Sequence, residues 1–139
     1  MEFVYLEHTA DLLFQAFGKT KEGLIVNSGR ALCNAIIDLR GVNAGEKIEL
    51  EVKIEEEKFE EVLFKFLEEL LFQIETREMV FSEFEVKELR EGYLKIECRG
   101  EKIDSKKHEV KTNVKAITRH DFRVWFHEGK WNALVLCDI

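Results

Sequence analysis

The chain has 139 residues, 45% of them hydrophobic and 35% charged, with no proline and a net charge of −7. A chain of this size suits one domain, 1–139, with one core, and the composition excludes an intrinsically disordered polymer. The acidity argues against a general nucleic-acid binder, so direct RNA binding is not expected. No apolar stretch approaches the roughly 18 residues of a membrane span and no leader pattern opens the chain, so a cytoplasmic protein with no membrane partner is expected.

Residues 2–6 and 12–17, "LLFQAF" closed by Gly18, have the aromatic-rich, turn-bounded form of strands. Thr20 is placed to cap a helix that carries Leu24, Ile25, Ala31, Leu32, Ala35, Ile36 and Leu39 at helical spacing and ends near Gly41. Residues 46–54, "EKIELEVKI", alternate strictly as a half-buried strand. A second helix from about Glu56 to Thr76 is apolar over more than one stripe, including Phe59, Phe64, Phe66, Leu70 and Ile74, so it needs cover on two sides. Only strands follow, at about 81–89, 93–98, 109–118, 121–127 and 131–137, with "EGK" at 128–130 as a hairpin turn. Two helices with broad apolar faces among alternating strands predict an α+β fold in which two antiparallel sheets sandwich the helices.

Charge is unevenly distributed. Between Lys102 and Arg123 seven Lys/Arg face three Asp/Glu, whereas Glu46 to Glu61 holds eight Glu against three Lys. Such a dipolar surface can steer a partner, although a solvated face is the commoner outcome of a charge run. Cys33, Cys98 and Cys137 are odd in number and widely spaced, which excludes a Cys-x-x-Cys metal or redox motif and reads as three small buried hydrophobes.

Among the polar residues, Asp138 is the least ordinary. It ends a run, Trp131 to Cys137, in which only Asn132 is not apolar, and a carboxylate at the end of a core strand needs partners or a metal. Asp11, in "EHTAD", sits between two predicted strands, where a turn aspartate bonding to nearby backbone is the simpler reading. Together with the oxygens of Ile139, two aspartates form a hard donor set suited to Ca²⁺ or Mg²⁺. His8 and His120 are each more ordinary as structural histidines. Lys115 and His120 are an odd number of residues apart, so they share a site only across a bulge or turn. No Gly-rich phosphate loop and no zinc or nucleophile pattern is present, which counts against autonomous nucleotide hydrolysis.

Taken together, "EHTAD" at 7–11, "FLEELL" at 66–71, "KKHEVKTNVKAITRHDFRV" at 106–124 and the closing "CDI" resemble the archease family over nearly the whole chain. The resemblance implies a two-sheet sandwich with internal helices and a protein that is not itself an enzyme. It implies an activator of the GTP- and metal-dependent tRNA-splicing RNA ligase, promoting guanylylation of that enzyme and its repeated turnover. It also implies a divalent cation, Ca²⁺ with Mg²⁺ or Mn²⁺ as alternatives, held by Asp11, Asp138 and Ile139. His8, Lys115 and His120 are then candidates to face the ligase or its nucleotide. The chain departs from the family pattern at Leu13, usually Gly, at Phe66 and Glu68 in a usual Trp-Leu-Asn, at Lys58, often acidic with Glu57 as a substitute, and at Arg119, commonly Tyr. The competing expectations are an autonomous metal-dependent hydrolase and a general chaperone or interaction module.

Overall fold

The computed structural model describes residues 1–139. In chain order the elements are β1 (Phe3–Leu6), β2 (Asp11–Gly18), α1 (Lys21–Ile36), a 3₁₀ turn (Leu39–Gly41), β3 (Glu46–Lys53), α2 (Phe59–Arg77), β4 (Met79–Arg90), β5 (Tyr93–Lys102), β6 (Ala116–His127) and β7 (Lys130–Asp138). Two antiparallel sheets form, one of four strands in the order β1-β2-β7-β6 and one of three in the order β3-β5-β4. Both helices touch both sheets, which is the expected sandwich.

Local chemistry explains the element ends. The Thr20 hydroxyl accepts from the Gly23 N–H at 2.9 Å, satisfying one of the donors a helix start leaves open. In the hairpin joining β6 and β7, His127 pairs with Lys130, and Glu128 and Gly129 both adopt positive φ, the paired left-handed geometry that a two-residue turn between twisted strands needs. The apolar excess of α2 is divided between the sheets. Phe66 meets Phe84 of β4 edge-on at 6.2 Å, and Phe64 meets Phe122 of β6 at 5.1 Å. Leu63, Phe66, Leu67 and Leu70 are fully enclosed, and burial of each such side chain contributes about 1.5–3 kcal/mol.

One predicted strand, 109–118, forms only in its last three residues. Residues 103–115 lie outside any helix or strand, and the chain becomes a strand only at Ala116, then runs unbroken to His127, absorbing the separate 121–127 strand of the sequence reading. The alternation of Val110, Thr112 and Val114 reflects packing over the ends of the helices instead of a strand ladder. Val114 is buried, and the Lys111 N–H bonds the Ile36 carbonyl at 2.7 Å. β6 gains its length from a bulge: Thr118 pairs with Leu136 and Arg123 with Leu134, so residues 119–122 are extruded.

The two outer faces differ. On the three-stranded sheet the outward side chains form charge ladders, such as Lys95 with Glu49 at 3.5 Å and Arg99 with Glu97 at 2.8 Å. On the four-stranded sheet Leu6, Leu13 and Leu136 stand in one cross-strand row, directly below the row that holds Asp11 and Asp138.

Candidate metal centre

β2 and β7 pair along their whole length, and the register sets Asp11 opposite Asp138. Their chain neighbours Leu12 and Cys137 turn inward to the core, so both carboxylates project from the outer face on the same side of the sheet. Directly opposed residues have Cβ atoms about 4.5–5.5 Å apart, and like charges there repel. A one-residue slip of β7 would turn Asp138 inward and expose Cys137 while leaving Asp11 outward, so the core that β7 fills also enforces their pairing. The Cys137 thiol reports this setting: burial, then the adjacent Asp138 carboxylate, pushes it up to about 12.

The surroundings add negative potential. α1 begins with Lys21 above the Trp131 ring at 5.3 Å, and its last carbonyl reaches Lys111. α2 begins with Phe59 edge-on to Trp131 at 5.7 Å and brings Leu71 and Ile74 beside Val114. Both helices therefore aim their C-terminal, negative ends toward the end of the sheet that carries Asp11 and Asp138. Two opposed carboxylates in such a field are hard oxygen donors of the kind that suit a divalent cation, and Ile139 follows Asp138 directly in the chain. No group of three His, Cys, Asp or Glu side chains is gathered for a metal, so the set consists of two side-chain carboxylates and must be completed by backbone oxygen or water.

The other predicted residues separate into near and remote. His8 Nδ1 lies 3.1 Å from Asp11 Oδ2, and the turn between them passes through Ala10 at φ +62. A non-glycine residue there costs of order 1–3 kcal/mol, strain of the kind that accumulates where geometry serves a function. An open depression of about 570 Å³ is lined by His8, Thr9, Asp11 and Leu13. The Lys115 N–H donates to the Asp138 carbonyl at 2.8 Å, which places Lys115 beside the pair with its side chain in solvent. His120 is carried on the extruded 119–122 segment next to Asp121, itself at φ +59, and its side chain is 74% exposed. It is two residues past Thr118 and makes no contact with Asp11 or Asp138. Lys58 and Glu57 stand at the other end of the sandwich, beside Phe59 and Trp131. The eight residues of β2 from Asp11 to Gly18, seven steps of about 3.3 Å, put them roughly 23 Å from the carboxylate pair. Arg119 is engaged elsewhere, bonding Glu61 at 2.6 Å and stacking on Phe64 at 3.9 Å.

Sequence reading passed over a network that ties down the loop following β5. The His108 side chain is almost fully enclosed; its Nδ1 accepts from the Asp104 N–H at 2.9 Å, which leaves the proton on Nε2 to meet Glu101 at 3.0 Å. Lys106 N–H closes an Asx turn on Asp104 Oδ1 at 2.9 Å, so the "D-x-K-K-H" spacing was the available signal. Glu101 is held down to about 2 by hydrogen bonds from Lys107, from the Asn43 N–H and from His108, against some desolvation. Its folded value lies below the ordinary 4.5, so the stability it contributes is complete above 4.5 and is lost as pH falls towards 2. The Glu101→Gln variant is therefore expected to be less stable at neutral pH and to lose less on acidification between 4.5 and 2, a difference approaching one proton in denaturant-derived stability against pH. Parallel curves would show that Glu101 is not the titrating group.

Fold and site define a β/α/β sandwich with a paired-carboxylate end. Within that class the chain belongs to the archease protein family (MTH1598/TM1083), whose model matches residues 3–139. It is similar to the protein archease of Methanopyrus kandleri, 39% identical with all of both chains covered, and to that of Pyrococcus abyssi, 41% identical over 97% of this chain and 96% of the relative. Its structure is similar to the solution structure of Methanobacterium thermoautotrophicum protein 1598, with TM-score 0.83, 31% identity and coverage of 99% and 98%. A crystal structure of an archease from Thermotoga maritima, described as a possible chaperone, shares the fold at TM-score 0.65 and 21% identity over 96% and 94% of the two chains. No helix of the chain is long and apolar enough to cross a membrane.

Proposed function

We propose that the chain is a protein activator of the GTP-dependent tRNA-splicing RNA ligase and not itself an enzyme, promoting guanylylation of the ligase and its multiple turnover. The observation that carries this reading is the register of Asp11 against Asp138, which gives the family motif and the closing Asp-Ile a common place on one face. Asp11, Asp138 and Ile139 oxygen hold a divalent cation, Ca²⁺ by preference, with Mg²⁺ or Mn²⁺ as alternatives. When bound, the cation supplies positive charge where negative charge develops on phosphate oxygens during nucleotidyl transfer. His8 orients Asp11 through its 3.1 Å contact, and Lys115, fixed through its backbone to Asp138, presents a solvated ammonium to the ligase or its nucleotide. His120, on its extruded segment, is placed to touch the partner instead of the cation. The ligase is the partner, direct RNA binding is not needed, and a cytoplasmic location follows from that partnership.

Guanylylation of the cognate ligase, measured with GTP in the presence and absence of the chain, tests the reading. Expected is a faster reaction and turnover beyond one equivalent, with Asp11→Ala and Asp138→Ala both losing at least tenfold of the stimulation. No stimulation at any stoichiometry would remove the proposal, and GTP turnover without ligase would replace it with the hydrolase reading.

A further inference from the structure

We propose that a second site, an apolar cavity between the C-terminal ends of α1 and α2, receives a large aliphatic or aromatic side chain of the partner, flanked in that partner by Lys or Arg. The inference rests on the ligase reading above for the identity of the partner and adds where and by what chemistry it is gripped. The cavity measures about 310 Å³. Ile36 of α1, Leu71 and Ile74 of α2, and Ile103, Val110 and Val114 of the intervening loop form its apolar wall. A space of this size, walled mainly by branched aliphatic side chains, suits an anchoring residue of the kind that dominates interface energetics.

The cavity is preformed. Its loop wall is tied at three points: the Ile103 N–H bonds the Glu78 carbonyl at 2.8 Å, the Lys111 N–H bonds Ile36, and His108 is locked between Glu101 and the Asp104 N–H. Val110, at the mouth, is 53% exposed, and Phe72, one helical turn before Glu75 and Thr76, is 55% exposed.

Charge selects the occupant. Glu75 and Glu78 line the rim at the end of α2, where the helix dipole disfavours anions, and Glu78 is fixed there as the left-handed cap at φ +52. Neither forms an ion pair within the chain. Of the cations at that helix end, Arg77 bonds the Gln73 side chain, Lys102 bonds the Arg77 carbonyl and Lys107 is paired with Glu101, so none of them bridges to Glu75 or Glu78. Two carboxylates without an ion-pair partner beside an apolar cavity are complementary to a segment in which basic residues flank an apolar one. Val114 is followed directly by Lys115, so one partner surface can fill the cavity and face the Asp11–Asp138 pair together.

The test is the affinity of the cognate ligase for purified chains, read by calorimetry alongside guanylylation. The Glu75→Lys/Glu78→Lys and Val110→Asn variants, all at exposed positions, are each expected to weaken binding at least tenfold. Glu55→Lys/Glu57→Lys, an equal charge change at the opposite end, should stay within twofold; circular dichroism checks that all are folded. Equal binding by every variant would overturn the cavity while leaving the ligase reading in place. Equal weakening by the two charge reversals would reduce the effect to general attraction and also overturn it. A wild-type chain that neither binds nor stimulates the ligase would remove both proposals.

Discussion

Replacing Asp138 with Asn is expected to raise the melting temperature in chelator and to abolish the further rise that a divalent cation produces. The two effects have opposite sign and a common cause. Asp11 and Asp138 are directly opposed in an antiparallel pair, and like charges in that position destabilise by about 0.2–1 kcal/mol. Removing one of them relieves the repulsion, which for a chain of this length corresponds to a few degrees at most. A cation at a hundred times its dissociation constant stabilises by about 2.7 kcal/mol, or roughly 8 °C, and that gain requires both carboxylates. The measurement is a thermal melt in chelator and in millimolar Ca²⁺, Mg²⁺ and Mn²⁺ at one fixed pH. A variant that keeps the full Ca²⁺ shift would take Asp138 out of the site. A variant that melts lower in chelator would mean that another group of the chain compensates the pair.

The two halves of this site were not equally legible in the sequence. Asp138 stands out because an almost unbroken apolar run leads into it, and burial of that run is what the structure delivers, with Ala133, Val135 and Cys137 fully enclosed. Asp11 looks like any turn aspartate until the register of β2 on β7 is known. That register is a tertiary fact set by the inward row of Leu12, Phe14 and Ala16, and periodicity within either strand cannot reveal it. The sandwich was legible for a related reason: α2 has more apolar positions than one sheet can cover. The misread strand at 109–118 shows the reverse case. Alternation at Val110, Thr112 and Val114 arises from a loop laid over helix ends, and nothing local separates that pattern from a strand. The element that decides it is His108, a lone histidine whose enclosure depends on Glu101 seven residues earlier and therefore on β5.

Phe66→Ala should be among the most damaging single changes to the fold, costing about 3–5 kcal/mol and lowering the melting temperature by roughly 10–15 °C. That is a large share of the 5–15 kcal/mol that holds a typical domain together. Phe66 is fully enclosed where three layers meet: its ring contacts Phe84 of β4, and both ring tips crowd Gly29 of α1. A Cβ at Gly29 would meet Phe84 Cζ at 3.2 Å and Phe66 Cζ at 3.3 Å. In the wild type, Gly29→Ala therefore sets about 1 kcal/mol of helix propensity against two aromatic rings that must shift, and little net change is expected. In the Phe66→Ala background one ring is gone and Phe84 has room to move, so the same Gly29→Ala should recover about 1–2 kcal/mol. The coupling is read from a double-mutant cycle in denaturant with matched m-values. Additivity within about 0.5 kcal/mol would show that α1, α2 and β4 do not share this contact. Because Phe66 packs against the three-stranded sheet, on the far side of α2 from the carboxylate pair, the Ca²⁺-dependent rise in melting temperature should survive in Phe66→Ala even as its baseline falls. Loss of that rise would mean that the helix layer, and not the β2–β7 register alone, holds Asp11 and Asp138 in position.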